Sequence, residues 1–253
     1  LLKACLASIF ASTKSAIVEC VVIDNASSDH SIKMLQHDFP AVQLIRNSEN
    51  LGFGRANNQG WQTSHSKYIL FLNSDTLVPP GTLAQLIEFM NSHPDAGVVG
   101  PRLVRADGTT QPYAFGNDPT PSYLLKRGFK RLVLHRALHD WETRAPQLVD
   151  WVSGACLLAR HDALERVGGF DENFFMYFED NDLCLRIKQA GWKIYYDPQA
   201  TITHLGGASV AQDSARTLWY DKSLRYFYTK HYNLAARLYL KLFFPIYHRM
   251  NRG

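Results

Sequence analysis

The chain has 253 residues, 46% of them hydrophobic, enough to bury the core of one domain with a short appendage. Its 27 basic and 23 acidic residues leave a formal net charge of +4, which argues only weakly for a polyanionic partner. With no helix-turn-helix, zinc-finger or RNA-binding signature, nucleic acid is excluded as a partner.

The first residues place Leu2, Leu6, Ile9 and Phe10 at helical spacing, so residues 1–10 are expected to be a helix. A chain that opens on Leu inside a helix is expected to be truncated. The run ECVVIDN, residues 19–25, predicts a buried parallel strand ending in Asp24 and Asn25. A helix over 31–39 and a strand over 42–46 follow. Gly52 and Gly54 then permit a tight loop before a helix over 55–63. The strand 68–72 ends in Asn73, Ser74 and Asp75, and a helix over 81–92 leads to a strand at 98–101. This alternation predicts an α/β doubly wound, mostly parallel sheet, whose ligands sit beyond the carboxyl ends of the strands, where Asp24 and Asp75 lie.

From 102 to 150, Pro112, Pro119, Pro121 and Pro146 interrupt the pattern, so long loops or short helices over a site are expected. A strand over 149–159 contains Ser153 and Gly154, and a helix is predicted over 161–167. The stretch FFMYFEDNDLCLRIKQAGW, residues 174–192, carries Glu179 and Asp180 at the start of an amphipathic helix marked by Leu183, Ile187 and Ala190. Short strands are predicted at 193–196 and 200–204, the second ending at THLGGAS. Four cysteines without CxxC spacing, Cys5, Cys20, Cys156 and Cys184, suit a reducing compartment. Residues 213–253 read as an amphipathic helical appendage, with Leu234, Leu238 and Leu242 on one face and no run of about 18 apolar residues able to span a bilayer. Basic residues gather with aromatics at Lys126, Arg127, Lys130, Arg131 and Arg136, and again at Arg237, Lys241, Arg249 and Arg252. That pairing fits an anionic membrane surface or a phosphorylated acceptor.

Each candidate residue has a plain structural alternative. Glu179 and Asp180 could cap a helix, or one could serve as a general base. Asp75 could form an Asx-turn, or bind a divalent cation carrying a diphosphate. His204 could be structural, or a metal ligand paired with Asp75. Asp24 and Asn25 could hydrogen-bond a base or ribose, or serve the turn DNASSD. Trp151, Phe175, Tyr177 and Phe178 could wall a sugar site or simply fill the core.

The motifs VVIDNASSD, NLGFGRANNQG, LFLNSDT, VSGACLLAR, GGFDENFFMYFEDNDLCLRIKQAGW and THLGGAS, in this order, resemble the inverting glycosyltransferases of family two, which have the GT-A fold. The later motifs are most similar to the bacterial rhamnosyltransferase branch. The resemblance implies inverting transfer of a sugar, rhamnose among the candidates, from a nucleotide-diphosphate sugar to a glycan or polyprenyl-linked acceptor in surface polysaccharide synthesis. It implies a divalent metal, Mn or Mg, held by Asp75 and His204, with the family's first DXD acid replaced by Asn73. It also implies nucleotide-sugar contacts from Asp24, Asn25, Asn57, Asn73, Ser74, Asp75, Ser153 and Gly154. Asp180 takes the role of base and Glu179 that of positioning it. The family's opening strand is missing, so the expectation is a GT-A domain over 1–212 lacking its first strand, an appendage over 213–253, and a cytoplasmic place at the inner face of the plasma membrane. A non-catalytic sugar-binding remnant of the same fold and a nucleotidyltransferase are the competing expectations.

Overall fold

The structure, a computed structural model, describes residues 1–13, 18–134, 139–206 and 213–251, without the side chains of 131–134, 213–214 and 243–251. The predicted contributions of Arg131, Arg136, Arg249 and Arg252, and residues 207–209 of THLGGAS, lie outside the described residues.

Helix α1 (Leu2–Ser12) buries Cys5, Leu6 and Ile9. Strands β1 (Val21–Asn25) and β2 (Gln43–Asn47) flank α2 (Ser31–Asp38) and pair in parallel, Asp24 opposite Arg46. Helix α3 (Phe53–Trp61) packs on β1. Strands β3 (Tyr68–Leu72) and β4 (Thr76–Leu77) bracket the NSD turn, and α4 (Thr82–Ser92) leads into β5 (Ala96–Val104). After β6 (Phe115–Gly116) comes α5 (Pro121–Leu134), and after β7 (Gln147–Leu148) come β8 (Trp151–Val152) and β9 (Cys156–Arg160). Helices α6 (His161–Val167) and α7 (Glu179–Gln189) precede β10 (Lys193–His204), and α8 (Asp213–His231) and α9 (Leu234–Asn251) close the description.

The central sheet has the order β3-β9-β5-β10-β4, with β7 on the edge of β10, while β1–β2 and β6–β8 form two-stranded sheets of their own. The β5–β10 pair is parallel over its length, and β9 runs antiparallel between β3 and β5. Nearly every residue of β5 is buried between its sheet neighbours and the helices packed on it, and the strand is apolar apart from the half-buried Arg102. The main core joins residues of α1, β3, β9, α7 and β10, including Leu6, Phe71, Leu157, Leu183 and Ile202. All four cysteines are free.

Three predicted stretches fold differently. The strand predicted over 149–159 is broken at 153–155, so that β8 pairs with β6 while β9 enters the central sheet. The two strands predicted at 193–196 and 200–204 are one. Pro198 cannot donate to a ladder, and the register shift between Asp197 and Thr201 absorbs it, with Asp197 accepting the Gln199 N–H at 3.1 Å. The proline-interrupted segment contains the 14-residue helix α5, whose start is legible in hindsight. Thr120 accepts the Tyr123 N–H at 3.1 Å, and Pro121 occupies the first helical position, where a missing N–H costs nothing.

The C-terminal residues form two helices rather than one. Asn233 opens α9 by accepting the Ala236 N–H at 3.0 Å. Leu224, Phe227 and Tyr228 of α8 pack with Leu240 of α9 against Phe174 and Phe178, the aromatics that precede the acid pair.

Candidate active site

Tyr177 and Phe178 both adopt left-handed backbone, φ 67° and 66°, immediately before Glu179. Two adjacent bulky residues at positive φ cost energy, and the turn persists because Phe178 is anchored among α8 side chains. The result aims the start of α7 at the broken strand. There the Asp180 carboxylate accepts the Gly154 N–H at 3.0 Å and the Asn181 N–H at 2.8 Å. With its amide oxygen assigned to accept the Trp151 indole N–H at 2.9 Å, Asn181 also donates to Asp180 Oδ1 at 3.1 Å. The lack of a Cβ at Gly154 lets Phe53 pack close to this turn, since a Cβ there would lie 3.1 Å from the Phe53 ring.

Asp180 is half-buried, and burial pushes its carboxyl up against the opposing N–H donors, which makes it a stronger proton acceptor. Glu179 is buried, and its Oε2 finds no hydrogen-bond partner. Burial and the neighbouring Asp180 charge hold the Glu179 carboxyl well above its usual range, so Glu179, which lacks the N–H donors that Asp180 has, is the member of the pair that holds its proton more readily. A carboxyl whose folded pKa is raised favours the fold below its unfolded value, and that advantage is lost as pH rises through the folded value. Glu179→Gln is therefore expected to raise the melting temperature relative to wild type, by more at about pH 8 than at about pH 5. Thermal melts at the two pH values check this; a gain independent of pH contradicts the neutral assignment.

The buried Asp182 follows on the same helix, and it is contacted by Arg186 at 2.7 Å, Lys230 at 2.7 Å and His231 at 2.6 Å. Burial pushes its carboxyl up, but these contacts together outweigh it and hold the carboxyl below the usual range. The ion cluster fastens the end of α8 to the helix that carries the acid pair. Sequence reasoning missed Asn181 and Asp182, because their partners come from segments 30 and 49 residues away, as seen for Trp151 and His231.

Asp75 lies buried in the turn after β3, its Oδ1 3.3 Å from His204 Nε2. The antiparallel β4–β10 pair sets His204 opposite Thr76, and the Leu205 N–H reaches the Asp75 carbonyl at 2.9 Å. The hydrogen bond from His204 holds the Asp75 carboxyl below the usual range. Asn73 Nδ2 is 3.5 Å from the same imidazole nitrogen, and Gln111 Oε1 is 3.0 Å from Nδ1, a contact no local pattern signalled. Exposed Ser74 sits in the turn between them. Among the described residues no three His, Cys, Asp or Glu side chains gather as a metal site. An oxygen and an imidazole nitrogen facing one another nonetheless fit Mn or Mg, which commonly take their remaining ligands from water and substrate phosphates.

The predicted nucleotide side is organised by amides. Asp24 is buried and accepts the Ser27 N–H at 3.3 Å, which is turn chemistry. Asn25 donates to the Gly52 carbonyl at 3.2 Å and accepts from Asn47 at 2.8 Å, tying β1 to the NLGFG loop. Asn57 donates to the Phe53 carbonyl at 2.9 Å within its own helix. Gly52 has φ 85°, and a Cβ on it would meet the Phe175 carbonyl at 2.6 Å, so the loop passes flush against the FFMYF turn and Phe53 N–H bonds that carbonyl at 2.9 Å. The candidate residues thus form one connected surface. Asn25 holds Gly52, Phe53 holds Phe175, Asp180 holds Gly154, and Ala155 accepts the Asn73 N–H at 3.0 Å beside Asp75 and His204.

The molecule is thus an α/β domain whose central sheet is covered by helices, with Asp75 in the turn after β3 and the Glu179–Asp180 pair at the start of α7. The chain matches Glycosyl transferase family 2 over residues 1–145 and belongs to that family. It is 32% identical over 222 residues to the N-acetylglucosaminyl-diphospho-decaprenol L-rhamnosyltransferase of Mycobacterium tuberculosis, covering 79% of this chain and 71% of that protein. With rhamnosyltransferase WbbL of Escherichia coli K12 it shares 29% identity over 191 residues, 73% of this chain and 71% of that protein. Two solved structures share its fold. GalNAc-T7 with UDP, GalNAc and Mn2+ has a TM-score of 0.63 at 17% identity, covering 87% of this chain and 44% of that one. The mannosyltransferase PcManGT of Pyrobaculum calidifontis, in complex with GDP-Man and Mn2+, has a TM-score of 0.60 at 17% identity, over 90% and 59% of the two chains. The present chain thus spans less than two thirds of either solved structure. The likenesses agree with the GT-A type expected from the motifs.

Proposed function

We propose that this protein transfers a sugar, rhamnose being the first candidate, from a nucleoside-diphosphate sugar to a hydroxyl of a glycan or polyprenyl-linked acceptor, with inversion, in bacterial surface polysaccharide synthesis. The observation that carries this reading is the seating of Asp180 on the Gly154 N–H, in the turn whose next residue binds the strand end bearing Asp75. A base and a diphosphate site on adjoining backbone suit an in-line displacement. The acceptor oxygen bonds to the anomeric carbon, the bond to the diphosphate breaks, and the hydroxyl proton passes to Asp180. Glu179, neutral beside it, leaves the negative charge on Asp180. Asp75 and His204 would hold a divalent cation, which supplies charge stabilisation for the leaving diphosphate. Asp24, Asn25, Asn57, Asn73, Ser74, Ser153 and Gly154 line the donor path, Asn25 chiefly by fixing the Gly52 loop.

The test is a panel of nucleotide sugars with polyprenyl-linked acceptors, read by released nucleoside diphosphate and by the anomeric configuration of the product. Turnover with one donor and an inverted product is the expected result. Binding without turnover by the intact protein would support a non-catalytic remnant, and release of inorganic diphosphate from a nucleoside triphosphate a nucleotidyltransferase.

The same reading places the protein at the inner face of the plasma membrane. Leu234, Leu238 and Leu242 of α9 are exposed beside Arg237 and Lys241, and Leu125 and Phe129 of the adjoining α5 are exposed beside Lys126. No described helix is long and apolar enough to cross a membrane, which leaves interfacial contact as the mode these residues suit. Leu238→Glu is expected to reduce flotation with anionic liposomes severalfold; equal flotation of variant and wild type would remove α9 from the interface.

A further inference from the structure

A cavity of about 540 Å3 opens beside His204, lined by Arg105, Asp107, Gln111, Tyr113, His204 and Leu205 among others. None of the residues on the nucleotide side reaches it. His204 joins the cavity to Asp75, its Nε2 facing Asp75 and its Nδ1 facing Gln111. Tyr113 is the unusual member. It is 49% exposed and adopts φ 64°, a conformation that costs a bulky residue energy without burying its ring. The ring is nevertheless held in place. Trp141 lies 4.9 Å from it, centroid to centroid, and the Arg127 guanidinium stands 5.6 Å from its centroid.

The backbone ties this platform to the chemistry. Ala114, the next residue, accepts the Ser153 N–H at 2.9 Å, and the N–H of the following Gly154 holds the Asp180 carboxylate. The residue after Tyr113 is thus joined through the 153–154 backbone to the proposed base, while His204, which lines the same cavity, faces Asp75. Arg105 lines the cavity with Asp107, and Arg127 stands over the Tyr113 ring beside it; Arg105 also braces the hairpin by donating to the Thr110 carbonyl at 3.1 Å.

We propose that this cavity is the acceptor site, and that it takes a sugar diphosphate, with the sugar ring on Tyr113 and the diphosphate toward Arg127 and Arg105. An exposed, braced aromatic face offers the apolar side of a pyranose a flat partner, and guanidinium groups match phosphate oxygens in pairs. The proposal rests on the transferase reading for the word acceptor, but the binding site itself is measurable without turnover.

Equilibrium binding of a water-soluble, short-chain prenyl-diphosphate sugar is measured for wild type, Tyr113→Ala, Tyr113→Phe, Tyr113→Gly and Arg127→Gln, alongside binding of a nucleotide sugar. The expected result is a loss of about tenfold or more in affinity for the prenyl-diphosphate sugar in the Ala, Gly and Gln variants, a shift of at least about 1.4 kcal/mol. Tyr113→Phe, which keeps the ring, is expected to stay within about twofold, and nucleotide-sugar affinity to move by less than about twofold throughout. The Gly variant relieves the left-handed backbone while removing the ring, so it separates lost recognition from lost folding. Unchanged affinity for the prenyl-diphosphate sugar in the Ala and Gly variants overturns the proposal, as does a parallel loss of nucleotide-sugar affinity, which would assign the cavity to the donor. Failure of wild type to turn over any donor would sink the transferase reading while leaving these affinities to decide the site.

Discussion

Asp180→Asn is expected to lower kcat by about 100- to 10,000-fold, the range a positioned general base contributes, while nucleotide-sugar affinity stays near wild type. The asymmetry follows from geometry. The Gly154 and Asn181 N–H groups bond different oxygens of Asp180, so the amide oxygen of the variant keeps one of the two bonds at unchanged side-chain size, and the turn and the donor side are retained. What it loses is the capacity to take a proton. Neither Glu179 nor Asp182 can substitute for it, one being buried and neutral and the other locked in contacts with Arg186, Lys230 and His231. Single-turnover measurement with saturating donor checks this, and a variant that retains most of its turnover would refute the base assignment.

Asp75→Ala is expected to cost about 100- to 1,000-fold in kcat/KM, as removal of one preorganised group from a developing charge does. Its signature differs from that of Asp180→Asn. Asp75 and His204 face one another at 3.3 Å, so removing the carboxylate leaves the imidazole without its partner across the proposed metal position. Donor affinity should therefore respond less to added Mn2+, with the midpoint of a Mn2+ titration of donor binding moved to higher concentration. His204→Ala should shift it in the same direction. An unchanged midpoint in Asp75→Ala would exclude that residue as a metal ligand. Because the first position of the turn is the amide of Asn73, no second carboxylate in NSD is present to mask the effect.

Much of the scaffold was legible because it is local. The periodicities of α2, α4, α6 and β3 predicted elements whose bounds agree with the structure to within a residue, since burial on one face leaves a regular imprint. Regular imprints fail where two strands share one apolar run. In VSGACLLAR only Ser153 and Gly154 interrupt the apolar run, too short a signal to divide it by periodicity, so the two strands read as one. Helix α5 escaped for the opposite reason: prolines nearby masked its clear Thr120-Pro121 start.

The candidate site shows the same division. The residue types and their order along the chain, Asp24 and Asn25, the NSD turn, the acid pair and the strand-end histidine, were determined by the sequence alone. So was membership of a family whose motifs require that order. Only the tertiary structure decided which of two adjacent acids receives hydrogen-bond donors. Glu179 and Asp180 are equivalent acids until folding buries one without a partner and sets the other on the Gly154 N–H, a difference made by desolvation and hydrogen bonds from a strand 26 residues away. The link of Tyr113 to Trp141 and Arg127, and of Gln111 to His204, likewise exists only once distant segments meet, because side chains convey no signal of partners they have yet to touch.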